Sequence, residues 1–269
     1  MADLSVDTRP RILVAFRGGG FEPVSRRWVA WTFFAVLLLV WQAGSAAGKI
    51  DPLFLPSPLQ IGAALESMIA SGDLARHLGV SLLRIAAGWL IGSSAGVLVG
   101  SLIGLSWLWR SAGLPFISAL FPIPKIALLP LLILWFGIGE SSKIATIALG
   151  VFFPMAISTY AGVDNVPRNL IRMAQSFNMP FRAILVKVIM PGMLPAILSG
   201  CRISASIALI LVVSAEMIGA NVGIGALLLT AGNLMQTDQL MAGIVAMSVL
   251  GLIIGALISW LERTLLAWR

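Results

Sequence analysis

From residue 28 onward, apolar runs of about twenty residues alternate with short polar segments, the pattern of a chain that crosses a bilayer repeatedly. The first run, 28–47, reads WVAWTFFAVLLLVWQAGSAA. Residues 48–77 are more polar, and Pro52, Pro56 and Pro58 interrupt them ahead of a short amphipathic helix predicted from about Leu59 to Ile69. Further runs at 79–105, 112–137, 142–163, 190–216 and 239–261 complete an all-α, polytopic arrangement of six transmembrane helices. Residues 1–27 carry Arg9, Arg11, Arg17, Arg26 and Arg27 with a run of three glycines, and no apolar period. They read as a tail, leaving 28–269 as the membrane domain. Ser45-Ala46-Ala47 resembles a signal-cleavage site, but the long charged stretch before the first run and the spans after it predict a retained anchor.

Two runs have internal structure. Gly88, Gly92, Gly96, Gly100 and Gly104 recur every four residues, which lays a smooth stripe along one face of the second span for close packing. In the third, Pro115, Pro122, Pro124 and Pro130 each remove a backbone donor. Such backbone survives at membrane depth only inside protein or against a water-filled path, so the span either lines a pathway or lies buried as an irregular helix.

The segment 164–190 is cationic yet periodic. The stretch RNLIRMAQSFNMPFRAILVKVIMP runs from Arg168 to Pro191, one residue past it. Ile171, Ala174 and Phe177, then Phe181, Ile184, Leu185 and Val188, recur at helical spacing. Asn178 tolerates a left-handed turn and Pro180 suits the start of a helix, which predicts helix-turn-helix.

This segment resembles the EAA loop of ABC-importer permeases. Arg172, Met173 and Ala174 fall on that motif's Glu-Ala-Ala, Asn178 on its Gly, and Val188, Met190 and Pro191 on its Ile-x-Leu-Pro; only Ala174 and Pro191 match literally. LFLPSP at 53–58, HLGVSLLRIAAGW at 77–89, PIPKIALLPLLILWFGIGESSKI at 122–144 and EMIGANVGIG from Glu216 are similar, in the same order, to the nitrate/sulfonate/taurine/bicarbonate permease subfamily. The resemblance is strongest toward the aliphatic sulfonate and taurine type. It implies a type I importer permease fold in a bacterial inner membrane. It also implies a second permease copy, two cytoplasmic ABC ATPases that hold the ATP and magnesium, and a periplasmic solute-binding protein that delivers the solute. On this reading Arg172, Met173, Ala174, Phe177, Asn178, Pro180 and Pro191 couple the permease to the ATPase, whose closure opens the permease dimer toward the binding protein.

Composition narrows the classes further. Hydrophobic residues make up 59% and charged residues 11% of the chain, against about 25% charged in soluble domains. The formal charge of +7 is spread between apolar runs rather than gathered in a patch, which argues against nucleic-acid binding. One cysteine, Cys201, excludes an internal disulfide and a cysteine metal centre. No HExxH or GxxxxGK[ST] phosphate loop is present, so an enzyme, or an ATPase of that type, is not expected in this chain, and no cofactor is assigned to it. The positive-inside rule counts Arg9, Arg11, Arg17, Arg26, Arg27, Arg110, Arg168, Arg172, Arg182, Lys187, Arg263 and Arg269 on the proposed cytoplasmic side. Only Lys49, Arg76 and Lys143 lie on the other, with both termini inside.

Arg84, Lys125, Arg202 and Glu216 lie in or near spans and are costly against lipid. They are the candidates for contact with a translocated solute, and three cations in four suit an anion. Snorkelling or an ion pair would serve Arg84 and Glu216 equally well. His77, the only histidine, reads as an interfacial side chain. A secondary transporter, which would show inverted repeats with matching broken helices, and a non-transporting scaffold are the alternative functions.

Overall fold

The computed structural model describes residues 27–267, and its described elements are helical. The predicted tail and Arg269 lie outside these residues, apart from Arg27 at the start of the first helix. α1 (Arg27–Ala46) is a single apolar helix. α2 (Pro58–Ala70) starts with a capping box: Gln60 N–H donates to Ser57 Oγ at 3.2 Å and Ser57 N–H to Gln60 Oε1 at 2.8 Å, with Pro58 at the first helical position. It buries Ile61, Ala64 and Met68.

α3 (Asp73–Leu105) begins a turn and a half before the predicted span, α6 covers Glu140–Asp164, α9 Met190–Gly219 and α11 Thr237–Leu265. The glycine stripe explains how the first two meet. A Cβ placed on Gly88, Gly92, Gly96, Gly100 or Gly104 would lie 2.4–2.7 Å from atoms of Ile147, Ala148, Met155, Ala156 or Val163. Residue numbers rise together along this seam, so α3 and α6 run parallel. Gly162 against Met193, and Gly200 against Ser158, set α9 antiparallel to α6.

Between the parallel helices the chain has to cross back, and the proline-rich segment does so in pieces. α4 (Trp107–Leu120), a 3₁₀ turn (Lys125–Leu128) and α5 (Leu129–Phe136) form one broken span bent by 89°. Its ends lie at opposite ends of the bundle, since Arg110 pairs with Asp164 while Glu140, just beyond α5, pairs with Arg84. Five unbroken helices and this bent pair make up to six spans. Sequence periodicity gave no warning of α10 (Ile224–Asn233), which is too short to cross and buries its first three residues.

α7 (Arg168–Ser176) and α8 (Phe181–Ile184) form the predicted helix-turn-helix. Asn178 takes φ 53°, and Pro180 is the N-cap of α8 rather than its first residue. α8 runs through a π-turn at Leu185–Ile189 into α9, giving an unbroken helical stretch from Phe181 to Gly219. Pro191 explains the wide turn: it has no N–H for the carbonyl four residues back, and the bonding slips to the longer Met190 N–H to Leu185 O pattern.

Candidate functional site

Two places gather the singled-out residues, one at each end of the bundle. The first is the helix-turn-helix. Ala174 is buried among Val166, Ile184, Ile189 and Met193 of this same chain. Its smallness lets α7 fold back on the start of α9, so it faces inward and not toward a partner. The outward face is apolar: Leu170, Met173, Phe177 and Phe181 are exposed, Phe177 at 74%. Arg172 and Asn178 are exposed, and Pro191 is half-buried at the loop's exit. Sequence periodicity placed Phe177 in the same stripe as Ala174, and Phe181 in the stripe of the following helix. The structure buries Ala174 and leaves Phe177, at the C-cap of α7, exposed together with Phe181 across the left-handed turn at Asn178.

The second place is a buried ionic network where α3 and α6 start and α9 ends. Arg84 Nε and Nη2 donate to Glu140 at 2.5 and 2.6 Å, and its Nη1 donates to Glu216 Oε1 and to the Val222 carbonyl, both at 2.7 Å. Glu216 also accepts from Ser81 Oγ at 2.8 Å and from Gly225 N–H at 2.8 Å, while Ser81 Oγ accepts from Ile224 N–H at 2.9 Å. The carboxylate therefore caps the start of α10, where unpaired N–H groups favour a negative charge. Gly223 must be glycine here: its φ is 137°, and a Cβ would lie 2.4 Å from the Glu216 carboxyl carbon. Arg84 is 4% and Glu216 0% exposed, whereas the Glu140 side chain is 58% exposed. His77 lies alongside, with Nδ1 2.8 Å from the Gly223 carbonyl oxygen. Lys143, which sequence placed in an outer segment, is buried in α6 and donates to the Gly139 carbonyl at 2.9 Å.

The other two in-span candidates are also satisfied by the protein. Lys125 Nζ donates to the carbonyls of Leu120, Phe121 and Ile123 at 2.8, 3.0 and 2.6 Å and lies 4.4 Å from the Phe153 ring centre. All three of its protons are used, and it closes the open end of α4 at the break. Arg202, 53% exposed, donates to Glu262 and Ser259 of α11. Each of the four candidate charges thus has an internal partner. Of the readings kept open for Arg84 and Glu216, solute contact, snorkelling and an ion pair, the structure contains the ion pair. Sequence reasoning missed Glu140 and Ser81; the available signal was Ser81 three residues before Arg84, which puts both on one helical face.

The family model for binding-protein-dependent transport system inner membrane components matches residues 92–267. A Bacillus subtilis protein named as an aliphatic sulfonates transport permease, SsuC, is 37% identical over 235 residues, which is 87% of this chain and 85% of that protein. The Escherichia coli taurine transport system permease TauC is 38% identical over 243 residues, 87% of each. Among solved structures, an inward-facing form of the MetNI methionine ABC transporter superposes with a TM-score of 0.63 at 21% identity, covering 74% of this chain and 98% of that one.

Proposed function

The chain belongs to the binding-protein-dependent transport system inner membrane component family, and from that premise we propose that it passes an alkanesulfonate-like solute inward from a soluble binding protein. It is the permease subunit of an ABC importer, and hydrolysis of ATP belongs to a separate subunit. The secondary-transporter and scaffold readings are set aside. The substrate class rests on the sulfonate and taurine relatives rather than on the membrane charges, since those charges have hydrogen-bond partners within the chain.

The observation that carries the coupling role is the exposed apolar face of Leu170, Met173, Phe177 and Phe181 at the cationic end of the bundle. Arg110, Arg168, Arg172, Arg182, Lys187, Arg202 and Arg263 lie at that end, with Asp164 and Glu262 as the acids. In our reading it is cytoplasmic, both termini lie on that side, and each of two permease copies offers the face to an ATPase that holds ATP and magnesium. Arg172 then meets an acidic group of the ATPase or sits at the rim. The 39 helical residues from Phe181 to Gly219 span about 58 Å at 1.5 Å per residue. They link the ATPase contact to Glu216 and α10, so displacement of the loop shifts the far end of the bundle. Solute contacts fall on the walls of the path between copies, where Lys125 and Arg202 act by shaping the broken span and the α9–α11 seam.

The test is reconstitution of the permease with its ATPase in lipid. Stoichiometric co-purification, and ATP hydrolysis stimulated by a sulfonate-loaded binding protein, are expected. A permease that retains no ATPase, or solute uptake driven without ATP, would overturn the reading.

A further inference from the structure

Four grooves and cavities among the described residues differ in their walls. Three run along the helices and are lined mainly by apolar side chains with a few serines and no charged residue, as surfaces meeting lipid or another membrane subunit are. The fourth, of about 300 Å³, is polar. It lies among α2, α3, α10 and α11 at the end where α3 starts, and Asp73, His77, Asn221, Thr230, Gln236 and Gln239 line it. Polar walls at a helix end face water rather than acyl chains.

We propose that this cavity receives one basic side chain, lysine or arginine, from the soluble binding protein. This rests on the proposed importer function, which puts the cavity on the outer face. The amides, imidazole and hydroxyl can donate or accept, so they do not decide the sign of an occupant. Asp73 does. It is exposed in the first turn of α3, its Oδ2 accepts from Ser71 Oγ at 3.3 Å, and it has no cationic partner among the described residues. No lysine or arginine lines the cavity. The surrounding field has the same sign: outside the buried network this end carries Asp51, Glu66, Asp73 and Asp238 against Lys49 and Arg76. That balance is opposite to the cationic end and steers a positively charged surface toward the cavity. At about 30 Å³ per water, the space holds a long basic side chain with several waters around it.

The cavity also adjoins the buried network. His77 forms part of its wall and contacts Gly223, and Gly223 cradles the Glu216 carboxylate. An occupant therefore seats next to the clamp on α10, at the top of the helix that descends to the coupling loop. Docking and the ATPase contact are then joined by one continuous element.

The test uses the assembled transporter in nanodiscs and the binding protein that stimulates ATP hydrolysis by the wild type, reading its half-saturating concentration. Asp73→Lys is expected to raise that concentration about tenfold or more, and Asp73→Asn by a smaller factor, with basal hydrolysis unchanged. Glu66→Lys, equal in charge change and exposed at the same end but outside the cavity, should stay within about twofold. Added salt should weaken wild-type docking more than that of Asp73→Asn. Wild-type half-saturation for Asp73→Lys, or an equal loss in Glu66→Lys, overturns the proposal. If Asp73→Lys fails to assemble, Gln239→Lys on the α11 wall decides by the same criterion. Stimulation by free taurine without binding protein, abolished by Asp73→Asn, would replace the docking role with a small-molecule site. Absence of any stimulation in the wild type would count against the importer reading itself, and unchanged basal hydrolysis keeps the two apart.

Discussion

Replacing Glu216 with glutamine keeps its shape and removes its charge, and the network fixes what that costs. Oε1 accepts from Arg84 and Ser81, and Oε2 accepts from Gly225 N–H, so both carboxylate oxygens face donors. A glutamine must turn its NH₂ toward one of them, either the guanidinium or the start of α10. Losing a hydrogen bond to a charged group costs about 1.5–3 kcal/mol, and leaving a buried donor unpaired about 1–3 kcal/mol. Breaking a buried ion pair costs about 3–5 kcal/mol as a whole. Arg84 retains Glu140, which places the expected loss at the lower edge, about 3 kcal/mol or two decades in the folding equilibrium. Unfolding the purified permease from mixed micelles with SDS, followed by helicity, measures it. Hydrogen exchange at Ile224 and Gly225 should accelerate, because their N–H groups are held by Ser81 and Glu216. The double variant Arg84→Gln/Glu216→Gln should lose at least about 1 kcal/mol less than the sum of the single changes. Stability of Glu216→Gln within about 0.5 kcal/mol of wild type, with unchanged exchange at α10, would refute the claim that this carboxylate holds the end of the bundle together.

The two faces of the cationic loop should respond differently: Phe177→Asp should leave the permease folded and weaken ATPase retention in a pull-down about tenfold or more. Ala174→Glu should lower the yield and stability of the permease itself, since Ala174 packs against its own chain. The reverse assignment would mean that the exposed face is not the coupling face. Gly92→Ala would place a methyl 2.4 Å from the Ala148 carbonyl oxygen, a backbone atom that cannot swing away, and should cost about 1–3 kcal/mol in the same SDS titration; a neutral result would show that α3 and α6 are not in close contact there. Single cysteines at Ser71 and Ser176, in a background lacking Cys201, should label from opposite sides of the membrane, and labelling from one side would exclude the six-span arrangement.

The spans and the glycine stripe were legible because both are periodic and local: a bilayer imposes length, and a four-residue repeat of glycine has one geometric use along a helix. The left-handed residue at Asn178 was legible for the same reason, since few side chains tolerate that conformation. α10 was not legible. Its ten residues carry no long period, and the signal that makes them a helix is a carboxylate eight residues upstream folded back onto its first turn. Nor could periodicity tell the inner face of α7 from the outer, because Ala174 and Phe177 share one apolar stripe and only packing against Ile184, Ile189 and Met193 decides which of them the chain covers.

The charges show most clearly where sequence reading stops. Hydropathy identifies Arg84, Lys125, Arg202 and Glu216 as expensive against lipid and says nothing about what neutralises them. Their partners lie 56 and 132 residues away for Arg84 and 60 for Arg202, while Lys125 uses carbonyls within five residues. A membrane cation has two inexpensive environments, a solvated path where water accepts its protons, or an internal acceptor set where carbonyls and carboxylates do. Lys125 distinguishes them most sharply, because three protons meet three carbonyls freed by the bend in the same span. The bend creates the acceptors and the lysine satisfies them, so one of the four residues singled out in sequence as candidate solute contacts also caps the break in a proline-broken helix.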